Sequence, residues 1–190
     1  MSVLITILVL MAFQFTTTMT MSFILSVQPA LAEYFNISVA LVPYLNIGFI
    51  ASGMLVPLFG YFADQKGLKN MMILGASIFS IGALLTSFAS SPIIYFFTRM
   101  MIGIGHNVFF ALVAVYYARL VDSKILVKVS GYFKLAFAAG IFMAPIAGAI
   151  TVKFFNFQSF YLLSFGISLF FTLLLIRKKK KKNAHTLPVT

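Results

Sequence analysis

Residues Gly60 to Met72 read GYFADQKGLKNMM, and on both sides of this stretch, from Tyr34 to Phe59 and from Met71 to Thr98, the chain carries no charged residue. An acid, two lysines and two glycines gathered between two apolar runs mark a place where the backbone must reverse. Gly60 and Gly67 suit a short reversal, because glycine allows close backbone approach and dihedral angles closed to other residues. Lys66 and Lys69 would hold such a loop on one side of a membrane if the flanking runs are membrane spans.

Composition says that they are. Of the 190 residues, 62% are hydrophobic and 9% charged, with a mean hydropathy of +1.05. A soluble domain has about 45–50% apolar and about 25% charged residues, so this is the composition of a membrane protein. Lys and Arg number 14 against 3 acids, a net charge of +11, and such a balance suits nucleic acid, anionic lipid or membrane topology. Position separates these readings. Arg177 and Lys178 to Lys182 follow directly on an apolar segment, where a basic run acts as an orientation signal. No folded basic domain offers a nucleic-acid surface, so no nucleic-acid partner is expected. The chain has no cysteine, which excludes disulfides and thiolate chemistry. No basic region precedes Val3, and the first apolar run exceeds the about 7–15 residues of a signal core, so this segment is expected to stay in the membrane.

Crossing about 30 Å of hydrocarbon as helix takes about 20 apolar residues. The chain divides into six such spans within residues 1–176, at Val3–Val27, Val39–Ala63, Met71–Ala89, Ile93–Ala118, Tyr132–Val152 and Phe160–Ile176, followed by a basic tail over 177–190. Gln28-Pro29 ends the first span, Asn36-Ile37-Ser38 supplies capping residues before the second, and Ser90-Ser91-Pro92 makes the turn before the fourth. Lys66, Lys69, Arg119, Lys124, Lys128, Lys134 and the run from Arg177 to Lys182 all fall on one side, Lys153 alone falls on the other, and Arg99 lies inside a span. The positive-inside rule then puts both termini and the 60–72 loop in the cytoplasm, as in a multi-pass protein of the plasma (inner) membrane.

The order Gly60, Ala63, Asp64, Gly67, Lys69 resembles G-x-L-A-D-R-x-G-R-K-x-x-L, the signature of the major facilitator superfamily between its second and third helices. The placement, between the second and third spans, is the same. Arg99 to Gly105 is similar to the family's R-x-x-Q-G-x-G, with Ile102 for the usual Gln. Gly140 to Ala149 is similar to G-x-x-x-G-P-x-x-G-G of drug and proton antiporters, with Pro145 and Gly148 in register and Ala144 and Ala149 at two of its glycines. Gln28-Pro29-Ala30-Leu31 stands where members often carry a proline turn. Gln65 and Leu68 replace two arginines of the loop motif, which leaves Asp64 to lean on Lys69 or on a helix N-terminus.

The resemblance implies an all-α membrane protein whose six transmembrane helices form one half of a major facilitator fold, itself a 3+3 inverted repeat. Gly60, Asp64, Gly67 and Lys69 would be its conformational motif, and Gly103, Gly105, Gly140, Pro145 and Gly148 its helix-packing positions. The first, second, fourth and fifth helices would line a substrate cavity, with the third and sixth outside. The function implied is transport by alternating access, as proton-coupled export of small amphipathic molecules. Family members usually have twelve helices, so this chain resembles an N-terminal half that would act with a second six-helix half or as a homodimer. A competing reading is a non-transporting membrane module, or the stranded half of an interrupted transporter gene.

Arg99 carries the sharpest chemistry. A guanidinium inside a span costs about 2.5–3.5 kcal/mol at the least and should face the bundle interior or a wet cavity. At helical spacing Gly103, His106 and Phe110 share its stripe, with Asn107 beside it. The resemblance gives Arg99 a part in proton coupling. His106 on that stripe is either a proton carrier or a hydrogen-bonding packing residue. Gln14, Thr17 and Thr18, with Ser22 a turn on, share one face of the first span, as cavity-lining groups or as interhelical hydrogen-bonding ones. Ser164, Ser168 and Thr172 read as a packing seam in the sixth span. None of the acids Glu33, Asp64 and Asp122 lies mid-membrane, so a buried carboxylate that exchanges protons must come from elsewhere or be absent. No nucleotide loop, G-x-S-x-G or H-E-x-x-H is present, so neither an enzyme nor a metal or cofactor site is expected. The expected partners are a small-molecule substrate, protons and membrane lipids.

Overall fold

The computed structural model of the chain describes the backbone of residues 3–184 and the side chains of residues 3–177. Residues 185–190, the end of the expected tail, lie outside the described residues. Six helical stretches are long and apolar enough to cross a membrane: Val3–Ser26, Val39–Lys66, Leu68–Ser87, Pro92–Ala118, Ser123–Phe154 and Phe157–Arg177.

The first span is α1 (Val3–Ser26). Gln28-Pro29 does interrupt it, but the chain then re-enters helix α2 (Gln28–Phe35), with Pro29 in the first turn. There its missing N–H would have had no intrahelical partner anyway. Asn36 ends α2 in the left-handed conformation, φ 53° and ψ 48°, which asparagine tolerates better than most residues. Its N–H donates to the Glu33 carbonyl at 3.2 Å. Ser38 then caps the next element, its Oγ accepting from the Ala40 N–H at 3.3 Å.

The second span is not one α-helix. It runs as a 3₁₀ helix (Val39–Asn46), α3 (Ile47–Ala51), a second 3₁₀ segment (Ser52–Leu55) and α4 (Val56–Lys66). Pro43 removes a donor and crowds the preceding turn, and Ser52 Oγ donates to the Phe49 carbonyl at 2.5 Å, a bond that competes with helical pairing. Gly67, at φ +88°, joins α4 to α5 (Leu68–Ser87) in a conformation that L side chains rarely adopt. Asn70 Nδ2 closes the turn by donating to the Lys66 carbonyl at 2.6 Å. The close approach expected at Gly60 does not occur. Its position on α4 has open space within 4 Å, because no described element packs on that side.

α6 (Pro92–Ala118) starts from the Ser90-Ser91-Pro92 turn, with Ser91 Oγ accepting from the Ile94 N–H at 3.3 Å. α7 (Ser123–Phe154) begins well before the expected Tyr132, so Lys124 and Lys128 stand on helix rather than in a loop. Buried Val129 and Phe133 give this extension a packed face, and Phe133 meets Tyr117 edge to face at 5.6 Å. α8 (Phe157–Ala184) likewise carries helix beyond Ile176, through residues read as a tail.

Glycines set how closely these helices approach. A Cβ at Gly105 would fall 2.6 Å from the Gly75 carbonyl oxygen on α5, and one at Gly82 would fall 2.9 Å from the Ile102 nitrogen on α6. α7 lies on α1 in the same way: a Cβ at Gly140 would be 2.8 Å from the Phe15 carbonyl oxygen, and one at Gly148 would strike Ser26. Small residues serve here because lipid tails are as apolar as leucine, and close backbone packing supplies the attraction instead. α8 packs on α5 and α1 with Ser164, Ser168 and Thr172 buried, and Thr20 Oγ1 donates to Ser164 Oγ at 3.0 Å. Toward one end, the Phe23 and Phe160 rings stack at 3.7 Å and the Tyr95 and Tyr161 hydroxyls pair at 2.7 Å.

The contacts carry an internal relation. First span on fifth is matched by fourth on second, third on fourth by sixth on first, and second on third by fifth on sixth. Exchanging the first three spans for the last three thus maps these three pairs of contacts onto one another, as expected of a 3+3 repeat.

Gly105→Val should force α5 and α6 apart and lower stability by about 1–3 kcal/mol or more. Thermal unfolding of the purified protein in detergent reads this as a lower midpoint, while Gly166→Ala, in mid-helix where nothing lies within 4 Å, should leave the midpoint unchanged or slightly raised.

Candidate functional site

Arg99 sits in the N-terminal half of α6 and is fully buried. Its Nη1 donates to the Thr20 carbonyl at 3.1 Å, and Nη2 donates to the Met21 carbonyl at 3.0 Å and to Asn46 Oδ1 at 2.5 Å. The guanidinium carbon lies 5.1 Å from the centre of the Phe49 ring, within cation–π range. Nε has no hydrogen-bond partner among the described residues. Thr20 and Met21 belong to the last two turns of α1. The cation is thus met by two carbonyls, an amide oxygen and a ring face. Glu33, Asp64 and Asp122 are all exposed, away from it.

One turn along, Gly103 lets the second span close in: a Cβ there would lie 2.7 Å from the Phe49 Cα and carbonyl oxygen. Buried His106 stands between the Phe49 ring at 5.6 Å and the Phe110 ring at 6.1 Å, the latter stacked at 17°. Its Nδ1 has no partner among the described residues. Asn107 Nδ2 donates to Ser52 Oγ at 3.0 Å. The structure therefore brings Arg99, Gly103, His106 and Asn107 together against residues 46–52. Phe110, at the end of the stripe, is part-exposed and meets Phe133 at 5.7 Å and Phe137 at 5.4 Å on α7.

Gln14, Thr17 and Thr18 are fully buried within the bundle rather than on an open face. Gln14 Nε2 donates to Thr18 Oγ1 at 2.8 Å, and Thr17 Oγ1 donates to the Gln14 carbonyl at 3.0 Å. Thr18 Cβ abuts Gly140. Asp64 is exposed in the last turns of α4, across the Gly67 turn from half-buried Lys69. Pro145 lies inside α7, between the contacts made at Gly140 and Gly148. Asn46 and Ser52, the two side-chain partners of the Arg99 stripe, are not marked by any motif in the sequence. The signal available was a lone amide and a serine within an apolar span. Gly75 and Gly82, which face Gly105 and Ile102, are likewise unmarked.

A bundle of six apolar helices, each long enough to cross a membrane, around a buried cation defines a polytopic membrane protein. Residues 9–189 match the model of the Major Facilitator Superfamily, and the chain belongs to that family, whose members are transporters rather than enzymes. Over 132 residues it is 29% identical to multidrug resistance protein 2 of Bacillus subtilis, covering 69% of this chain and 33% of that protein. Multidrug resistance protein 1 of the same organism is 24% identical over 150 residues, 78% of this chain and 39% of that one. Protein spinster homolog 1 of Xenopus laevis is 30% identical over 126 residues, 65% of this chain and 24% of that one. Among solved structures, a proton:xylose symporter bound to 6-bromo-6-deoxy-D-glucose superposes with a TM-score of 0.76 at 17% identity, covering 92% of this chain and 44% of that chain. A D-xylose-proton symporter superposes with a TM-score of 0.75, covering 98% and 49%. The fold is thus that of six helices of a major facilitator bundle, and the chain spans half or less of the length of the proteins it matches.

Arg99→Lys replaces a planar fork with one ammonium that cannot reach three acceptors on two elements at once. It should destabilise the protein by about 1–3 kcal/mol through acceptors left unpaired in the bundle, read as a lowered unfolding midpoint in detergent.

Proposed function

We propose that this chain is one six-helix unit of an exporter of small amphipathic molecules, coupled to protons and working by alternating access against a second six-helix unit. The observation that carries this reading is the face beside His106, where half-buried Asn107 and part-exposed Phe110 lead onto the aromatic rings of α7. An aromatic surface with one amide suits a flat, partly polar ligand that must be bound and released. The similarity to two multidrug resistance proteins supports export as the direction.

In this reading Arg99 holds α1, α6 and the second span in one arrangement, and His106 takes and releases the proton. The second unit is a separate six-helix half or a second copy of this chain, and Asp64, exposed beside the Gly67 turn, faces it in one of the two states. Both termini are cytoplasmic, so the run from Arg177 to Lys182 lies against the inner leaflet of the plasma membrane.

The test is binding and transport of ethidium by the protein in proteoliposomes, alone and with a second six-helix unit. In an antiporter protons and dye compete, so binding should tighten as pH rises, by about the 5–150-fold of ordinary coupling. His106→Gln should flatten that dependence while leaving the dye bound, and a protonophore should abolish uphill movement in the unsubstituted protein. Dye movement that ignores the pH gradient removes proton coupling, and no movement in either arrangement removes the transport reading.

A further inference from the structure

Arg99 and Asn107 are the two polar donors that α6 directs at the second span, and both land where that span changes helix type. Asn46, which accepts from Arg99, is the last residue of the first 3₁₀ segment. Ser52, which accepts from Asn107, is the first residue of the second. A 3₁₀ stretch inside a longer helix marks a hinge or a strained place, and here each junction is held by one side-chain hydrogen bond. The second span is also lightly covered: Ile50 is 67% and Met54 84% exposed. The fifth span is as lightly buried but runs as one α-helix, whereas the second is segmented at both of these contacts.

Asn46 differs from the other acceptors on the guanidinium. Thr20 and Met21 offer main-chain carbonyls of α1, which no substitution at those positions removes, whereas Asn46 is the side-chain acceptor recorded on Arg99. It is also neutral. A carboxylate at this place would make a desolvated ion pair, and breaking such a pair strands a buried charge. The Arg99–Asn46 bond is charged on the donor side only, so opening it leaves no carboxylate stranded.

We propose that Asn46 is a positioning residue for transport: its neutral amide ties the second span to Arg99 in one state of the cycle and releases it in the other. This rests on the transport reading above and adds the element that moves and the bond that times it. No proton or covalent step is required of Asn46 itself.

The absence of cysteine allows the test to use the full chain with two added thiols, Ile50→Cys on the second span and Phe97→Cys on α6. Phe97 is 59% exposed, so both positions accept spin labels. In lipid nanodiscs the labelled protein should show two distance populations whose ratio shifts on adding ethidium. Asn46→Asp should collapse them to one and lower the maximal transport rate about tenfold, because an ion pair must then be broken in each cycle, with KM nearly unchanged. Asn46→Gln keeps a neutral amide acceptor and should restore both populations and most of the rate, which a merely structural role for the residue does not predict. The proposal is overturned if Asn46→Asp transports at the unsubstituted rate, or if it is slow while both populations persist. If the unsubstituted protein moves no dye, the transport reading has failed on its own account. The distances then decide alone: populations unaltered by Asn46→Asp overturn the tie, and their collapse supports it.

Discussion

A single desolvated guanidinium organises this bundle. Arg99 is fully buried, and an ion taken out of water needs its lost hydration replaced by groups already in place. The three acids lie outside the bundle, so the replacement comes from neutral oxygens on two other elements. That requirement draws the end of α1 and the middle of the second span onto α6. It also explains the neighbours of Arg99: Gly103 admits Phe49 and Ser52 at close range, and Phe49 lays its ring near the cation. A bulkier residue at 103 would push away the acceptors that Arg99 depends on.

The remaining helices are held by backbone proximity. Hydrophobic burial gives little net attraction between helices surrounded by lipid, so glycine contacts at 75, 82, 105, 140 and 148 carry much of the assembly. The second span is as lightly buried as the fifth and departs furthest from regular α-helix. With most of its side chains facing outward, its register on α6 rests on Gly48, Gly103 and the two polar contacts at Asn46 and Ser52.

Much of this was legible in the sequence, for identifiable reasons. Six apolar runs separated by proline, serine and charge can fold only as spans and turns, and the positive φ of Gly67 falls in the turn that the glycine and the lysines marked. The stripe from Arg99 to Phe110 was visible because helical spacing places those residues on one face. The irregular second span was hidden, since hydropathy does not distinguish 3₁₀ from α. The early start of α7 was hidden because Lys124 and Lys128 read as loop residues, although lysine is a good helix former and Val129 with Phe133 supplies a packed face. At Gly60 a glycine suggested a close contact where the fold leaves open space. Asn46 was overlooked within an apolar run, although a lone polar residue in a span is a functional signal in its own right.

The burial of Arg99 by neutral oxygens can be observed directly. The chain holds three arginines, Arg99, Arg119 and Arg177, so nitrogen-15 labelling of arginine alone gives a spectrum that single substitutions assign. In lipid nanodiscs the Arg99 guanidinium should give two distinct Nη signals with protons that exchange slowly with water, and Asn46→Ala should alter them. Arg119, which is exposed, should exchange fast. Averaged, rapidly exchanging Arg99 signals would place the guanidinium in water and contradict the account.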